Sequence, residues 1–217
     1  MRGGTTVTAI GDGDPGSRRV LELPDSVLVS NALEHVVAAL RPEIFSHSIR
    51  TFLLGREAAR RDGVLDLDTE SLCLAALFHD AGTADVYDGP ARFEVEGADA
   101  AATFLHLGGW SATSVDPIWE AIALHTTPGI PERRGPITHY LRRGIEIEFG
   151  PTEQRARYAD SIIDAENLYP RGHVEEVLQT LVVEQALRRP SKATPPSWAA
   201  DLVRHHRPGV NGINPGF

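Results

Sequence analysis

The residues best suited to chemistry in this chain are a histidine and, 32 positions later, an adjacent histidine–aspartate pair: His47, then His79 and Asp80. Helical spacing places His47 on an inward face made otherwise of small or apolar residues, namely Ile44, Ser48, Thr51, Gly55 and Ala58. A face of small residues around one imidazole leaves room for a group other than a side chain. For His47 taken alone, a hydrogen-bonded core histidine is the alternative interpretation.

The His79–Asp80 pair follows Leu77 and Phe78 at the apolar end of another predicted helix, so both side chains enter a buried region. A buried carboxylate costs free energy unless it is paired or coordinated. A divalent metal ion would satisfy the carboxylate and the imidazoles together, with Zn²⁺ preferred and Fe²⁺ as the second choice. We therefore predict one metal ion here. An N-capping or ion-paired Asp80 beside a structural His79 is the alternative.

Composition narrows the class of partner. The chain has 217 residues, of which 41% are hydrophobic, and a formal net charge of −9. An acidic surplus disfavours nucleic acids and anionic membranes, which attract clustered Lys and Arg. The only cysteine, Cys73, excludes an intrachain disulfide, and no apolar run approaches the length of a membrane span. With no signal-peptide pattern, the sequence predicts a cytoplasmic protein with a small-molecule substrate, and it leaves a homo-oligomer open.

Helical periodicity prevails from Asp25 onward, and long strand-like alternation is absent. This pattern predicts an all-α fold: a single-domain helical bundle with the metal site between core helices. Residues 1–24 are predicted to be a flexible leader, 25–190 the metal-dependent catalytic domain, and 191–217 a tail lying against the surface. Helices are predicted at about 25–40, 43–62, 68–80, 95–107, 117–126, 136–149, 152–166 and 172–189, with a loop at 83–92. Asp116 is predicted to cap the helix that begins at Pro117.

Two pairs of segments resemble a known family. HSIR at 47–50 and LFHDAGT at 77–83 resemble the HD-domain superfamily of metal-dependent hydrolases and lyases. FEVEGA at 93–98 and AIALHTTPGI at 121–130 are similar to the branch of that superfamily that contains cyanamide hydratases. The likeness runs from about residue 28 to residue 166. It implies an all-α HD-type bundle, a metal ion held by His, His, Asp and a final Asp, and a metal-bound water as nucleophile.

The final ligand is where this sequence departs from the family pattern. GIEIEFG at 144–150 resembles a family stretch with Asp two positions before the last glycine, and here that position holds Glu148. Helical phase supports the choice, because Glu148 shares a face with Ile145 whereas Glu146 lies on the opposite side. We predict that Glu148 is the fourth metal ligand, with Glu146 and Asp160 as the alternatives.

Two further residues are candidates for catalysis. His125 shares a predicted helix face with Ile118 and Ile122, so it points inward. Its predicted role is to support a metal ligand from behind or to shuttle a proton, and a plain core histidine is the alternative. Glu94 immediately precedes a helix, where it is placed to orient water or substrate. Favourable negative charge at a helix N-terminus is the alternative role for Glu94.

The resemblance and these residues together predict a hydro-lyase that adds water to a small C≡N substrate, such as cyanamide to urea, through a metal-bound hydroxide. Glu94 or His125 would move the proton. The first alternative is an HD-type phosphohydrolase acting on a nucleotide or phosphomonoester, which would need cations near the metal. The candidates for that role are Arg50, Arg56 and Arg92. The second alternative is a metal-bearing binding protein without turnover.

Overall fold

A computed structural model describes residues 22–217, and in this part of the chain all regular structure is helical. The α-helices are α1 Val27–Ala39, α2 Pro42–Arg61, α3 Thr69–Phe78, α4 Phe93–Leu107, α5 Ala112–Leu124, α6 Pro136–Phe149, α7 Thr152–Arg157, α8 Ala159–Leu168, α9 Val174–Arg188 and α10 Trp198–His205. Short 3-10 turns lie at Ala81–Thr83, Asp85–Tyr87, Pro131–Arg133 and Pro190–Ala193. The predicted all-α, single-domain fold is confirmed. Most of the predicted leader, residues 1–21, lies outside the described residues.

Helix α2 is the centre of the bundle and packs against α3, α6, α8 and α9. It begins with Pro42, whose fixed φ and missing N–H suit the first helical turn, and Glu43 adds favourable charge there. Arg60 and Arg61 in the last turn complement the opposite end of the helix dipole. Among the described residues, none of the helices combines the length and apolar character that crossing a bilayer requires.

Helices α2 and α6 touch backbone to backbone through two glycines. A Cβ on Gly55 would lie 2.3 Å from the carbonyl oxygen of Tyr140, and a Cβ on Gly144 would lie 2.1 Å from the carbonyl oxygen of Thr51. The two contacts are one turn apart on antiparallel helices. One further turn along each helix, past Thr51 of α2 and Gly144 of α6, His47 lies opposite Glu148. The close approach therefore positions part of the candidate site.

Replacing Gly144 with alanine is expected to lower the free energy of unfolding by about 1–3 kcal/mol, because the added methyl group must push α6 away from α2. Chemical denaturation measures this loss. Gly135→Ala is the matched control, because a Cβ at Gly135 meets nothing within 4 Å. Equal stability of the two variants would contradict the close approach.

Two helix boundaries differ from the sequence prediction. Helix α5 begins at Ala112, where the Ser111 hydroxyl accepts a hydrogen bond from the Ser114 amide, and Pro117 lies inside the helix. The helix start predicted at Asp116–Pro117 was therefore wrong. The serine cap begins the helix earlier, and the helix continues through Pro117 although proline has no backbone N–H to donate. The helix predicted at 152–166 is divided at Tyr158 into α7 and α8.

The segment 191–217, predicted as a tail on the surface, instead joins the bundle. It contains α10, whose first turn is capped by the Ser197 hydroxyl, and the side chains of Ala199 and Leu202 are buried in the core. Helix α10 packs against α9. A serine followed by apolar residues at helical spacing is the signal that pointed to this helix.

Candidate metal centre

Side chains from α2 and from the end of α3 converge at the inner end of a pocket. The Nε2 atom of His47 lies 3.0 Å from Nε2 of His79 and 3.5 Å from Oδ2 of Asp80. The Nε2 atom of His79 lies 3.2 Å from the same Asp80 oxygen. All three side chains are buried, and within the described residues they form the one group of this kind that could hold a metal ion.

Hydrogen bonds on the far side of each imidazole determine which nitrogen faces the centre. Nδ1 of His79 is 2.8 Å from the carbonyl oxygen of Ala76, which can only accept, so this nitrogen carries the proton. Nδ1 of His47 is 2.9 Å from Oε2 of the Glu148 carboxylate and donates in the same way. Both Nδ1 atoms are therefore engaged on the far side, and both Nε2 atoms face the centre.

This donor set fits a divalent metal ion. Two imidazole nitrogens and a carboxylate oxygen lie 3.0–3.5 Å from one another, so one divalent ion among them could be bound by all three. The Oδ2 atom of Asp80 is buried and has no hydrogen-bond partner, a costly state for a carboxylate oxygen. An outer hydrogen-bond acceptor on each imidazole is the usual support of metal-binding histidines. His47, His79 and Asp80 suit Zn²⁺ or Fe²⁺.

The electrostatics of the centre favour a cation as well. Burial opposes ionisation of Asp80, but the charge of His79 and contacts with His125 and His79 lower the pKa of Asp80 well below its usual range. Burial lowers the pKa of His47, so its imidazole is neutral at pH 7. Burial also disfavours charge on His79, yet the attraction of Asp80 outweighs this and raises the pKa of His79. The same field would draw a metal ion to Nε2 of His79.

Glu148 reaches this centre through His47. Its Oε2 accepts from Nδ1 of His47, while Oε1 accepts from Nε of Arg50 at 3.0 Å and forms an ion pair with the same guanidinium. Burial opposes charge on Glu148, but His47 and Arg50 hold the pKa of its carboxyl at about 2. The structure thus places Glu148 behind one ligand and outside the three converging groups, and its direct ligation stays a prediction.

The two alternative carboxylates lie elsewhere. Glu146 was expected on the side of α6 opposite the site, but its side chain is only 23% exposed and lines the pocket, where it pairs with Arg142 and Arg143. Asp160 is exposed on α8. Neither belongs to the group of converging ligand atoms.

We call His47, His79 and Asp80 the metal group. His125 lies directly beside it and lines the pocket. Its Nδ1 donates to the carbonyl oxygen of Ile122 at 2.7 Å, and its Nε2 lies 3.4 Å from Oδ1 of Asp80. Asp80 therefore presents one oxygen to the two ligand histidines and the other to His125.

Glu94 is fully buried at the start of α4 but is not part of the pocket wall. It pairs with Arg92 at 2.7 Å and accepts a hydrogen bond from the Thr126 hydroxyl at 2.5 Å. Thr126 does line the pocket. The structure thus brings Glu94 to the site through Thr126, a residue that the sequence prediction missed.

The pocket in front of the metal group has a volume of about 340 Å³. Most of its wall is apolar, and the residues on that side are Pro128, Ile145, Phe149, Pro151, Leu178, Trp198 and Phe217. Besides His125 and the three converging side chains, the polar residues are Thr126, Arg142, Glu146 and Gln154.

The arginine that lines the pocket is Arg142, which is not among the three arginines expected near the metal. Arg50 is buried against Glu148, Arg92 pairs with Glu94, and neither they nor Arg56 line the pocket. Arg142 does, and it donates to the carbonyl oxygen of His125 at 3.0 Å. Its spacing from Ile145 and Phe149 along α6 was the available signal, because these three residues form one stripe at helical spacing.

The fold and the site define an all-α protein with a buried His–His–Asp group that could hold a divalent metal ion. The family model of the HD domain matches residues 44–168, more than half of the 217 residues. The chain belongs to the HD-domain family, whose members are generally metal-dependent enzymes, hydrolases above all, acting on small molecules. A comparison with curated proteins finds no match.

Proposed function

We propose that this protein is a metal-dependent hydro-lyase that adds water to a small neutral C≡N substrate, giving urea from cyanamide or an amide from a related nitrile. The observation that carries the proposal is the convergence of three possible ligand atoms, from His47, His79 and Asp80, at the inner end of a mostly apolar pocket. Zn²⁺ is the preferred ion and Fe²⁺ the second choice.

The chemistry that such an ion supplies when bound is a water molecule whose pKa is lowered toward neutrality. The chain's own residues fix the geometry around it. Glu148 holds the ring of His47, and the Ala76 carbonyl holds the ring of His79, so neither imidazole rotates away from the centre.

His125 is the proposed proton carrier. Its Nδ1 proton is engaged by the Ile122 carbonyl, so Nε2 is the nitrogen that exchanges a proton with the pocket. Hydration forms a bond from the water oxygen to the nitrile carbon and one from a proton to the nitrile nitrogen. Nε2 accepts the proton that leaves the water and returns it to that nitrogen, after which the product tautomerises to the amide.

Thr126 is proposed to orient the substrate. Its hydroxyl donates to buried Glu94, so the lone pairs of the hydroxyl oxygen are left to accept a hydrogen bond in the pocket. The amino group of cyanamide is a donor of the matching kind. In this arrangement Glu94 acts as a positioning residue.

The charges in the pocket favour a neutral substrate. Among the described residues that line the pocket, Arg142 is the one arginine or lysine, and its guanidinium already faces Glu146 at 3.2 Å and Glu132 at 3.6 Å. Two carboxylates on one guanidinium leave little positive potential for a phosphate group.

A phosphohydrolase is the second candidate, and the presence of Arg142 in the pocket is the observation in its favour. A variant that lacks the Arg142 guanidinium distinguishes the phosphohydrolase from the hydro-lyase. Arg142→Gln should lower phosphoester turnover about 100–1000-fold if the guanidinium holds phosphate, because charge stabilisation of that kind contributes about 2.7–4 kcal/mol. Hydration of a neutral substrate should change less than tenfold.

We expect the purified protein to contain close to one equivalent of divalent metal and to release urea from cyanamide or amide from small nitriles. Elemental analysis measures the metal, and the same preparation is assayed with cyanamide, nitriles, phosphomonoesters and nucleotides. Removing the metal with a chelator should stop turnover, and returning it should restore turnover. Efficient phosphoester hydrolysis with C≡N compounds untouched would replace this proposal with the second candidate. Metal without any turnover would favour a binding protein.

A further inference from the structure

One wall of the pocket is built by a segment far along the chain from the metal ligands. We call residues 209–217 the strap. It follows α10 and brings Phe217 to the pocket beside Trp198. The ring of Phe217 lies edge to face against Phe149, with centroids 5.2 Å apart, and against Trp198, with centroids 5.3 Å apart.

Asn214 fastens the strap to the bundle. Its backbone amide donates to Oε1 of Gln179 at 2.6 Å, and its Nδ2 donates to the carbonyl oxygen of Leu202 at 2.8 Å. Its own Oδ1 and carbonyl oxygen accept from the amides of Gly216 and Phe217, both at 2.8 Å. These four bonds link α9 and α10 to the position of Phe217.

Gly216 allows the strap to lie directly on α10. A Cβ at this position would lie 2.7 Å from the carbonyl oxygen of Asp201 and 2.9 Å from the amide nitrogen of Leu202. Any side chain here must lift the strap from the helix. Phe217, the next residue, would be displaced with it.

Phe149, Trp198 and Phe217 form an aromatic wall of the pocket, and this wall is in contact with the metal group. The ring centroid of Phe149 lies 4.8 Å from that of His47. If the reacting carbon of a substrate lies at His47, His79 and Asp80, the substituent next to that carbon lies against Phe149, Phe217 and Trp198. The pocket volume of about 340 Å³ is about ten times the volume of one water molecule in the liquid, which exceeds what cyanamide needs.

We propose that Phe149, Trp198 and Phe217 select substrates that carry a flat apolar group on the atom bonded to the reacting C≡N carbon, and that the strap sets this selectivity. The identity of the reacting group rests on the proposed function. The apolar wall and its aromatic rings are independent of that assignment. Edge-to-face contact with aromatic rings favours a planar substituent such as phenyl.

Phenylcyanamide and cyanamide are the matched probes, because they share one reacting group and differ in the planar substituent. We expect the wild-type holoenzyme to prefer phenylcyanamide by at least about tenfold in kcat/KM, mostly through a lower KM. Phe217→Ala should reduce this preference about tenfold, and Phe217→Tyr should retain most of it. Asn214→Ala and Gly216→Ala should reproduce the loss without altering a pocket-lining side chain.

Ile213→Ala is the control, because Ile213 belongs to the strap but is exposed and lies outside the pocket. A direct titration of the metal-loaded protein with phenylcyanamide, followed by tryptophan fluorescence, gives a readout that needs no turnover. The Kd should be about tenfold weaker in Phe217→Ala and Asn214→Ala and unchanged in Ile213→Ala. Unchanged Kd and preference in both strap variants would overturn the proposal. If the wild type hydrates neither compound, the proposed function fails, and the titration still decides whether the wall selects the phenyl group.

Discussion

Replacing Asp80 with asparagine is expected to remove the metal ion and to lower turnover by about a thousandfold. Asparagine keeps the shape of the side chain but removes the negative charge that faces both ligand histidines. Its amide oxygen is a poor ligand for Zn²⁺ or Fe²⁺ beside two imidazoles. His79→Ala should have the same effect, because it removes the nitrogen closest to both of the other ligand atoms.

Metal content by elemental analysis and kcat/KM measured on the same preparations decide this prediction. Added metal should raise the Tm of the metal-free wild type, because an ion that binds only the folded state stabilises it, and should leave the Tm of Asp80→Asn unchanged. Asp85→Asn is the matched control, since Asp85 is an exposed aspartate on the neighbouring 3-10 turn. Full metal occupancy in Asp80→Asn would show that the ion is held elsewhere.

The three converging side chains of the candidate metal centre could be predicted from the sequence because their placement depends on local geometry. His79 and Asp80 are adjacent at the end of one apolar helix, and His47 lies on the small-residue face of another. Both signals require only helical periodicity and the cost of burying a carboxylate. The all-α fold followed from the same periodicity.

The remaining pocket residues depend on packing between distant elements, which periodicity does not specify. Trp198 and Phe217 reach the site because α10 packs on α9 and the strap folds back over α10. Arg142 reaches it from the helix that was expected to supply a carboxylate ligand, Glu148 or its alternative Glu146. The amino-acid sequence shows which residues share a helix face, but it does not show which other helix packs against that face.

Glu148 shows the same limit on a smaller scale. Helical phase placed Glu148 on the inward face of α6, and its side chain is buried there. The depth of that face depends on Gly55 and Gly144, which bring the backbones of α2 and α6 into contact. The carboxylate therefore reaches Nδ1 of His47, a distance that no pattern along α6 encodes.

Glu148→Gln is expected to weaken metal binding by about 10–100-fold and to reduce turnover to a similar extent. A carboxylate accepts from Nδ1 of His47 and from Arg50 at once, whereas one edge of a glutamine amide is a donor. One of the two buried donors must lose its acceptor, so the His47 ring is held less firmly. A metal titration gives the Kd directly, and a complete loss of binding would instead indicate that Glu148 is a ligand.

Glu146→Gln is the control two residues away on the same helix. Glu146 pairs with Arg142 and Arg143 and has no contact with His47 that fixes its ring. Metal affinity should therefore be unchanged, and KM should change less than tenfold because the charge balance around Arg142 alters. Loss of metal from this variant and not from Glu148→Gln would reverse the roles of the two glutamates.

Glu148→Asp separates a positioning carboxylate from a direct ligand, because the side chain is one methylene shorter while its charge is kept. The present carboxylate contacts His47 on one oxygen and Arg50 on the other. If Glu148 positions His47, the shorter side chain cannot reach both groups, so metal affinity should fall about as far as in Glu148→Gln. If the backbone instead stands where an aspartate can bind the ion directly, metal content and turnover should be retained or should rise. We expect the loss, since the backbone contact of Gly55 and Gly144 prevents α6 from moving closer to α2 to make up the missing length.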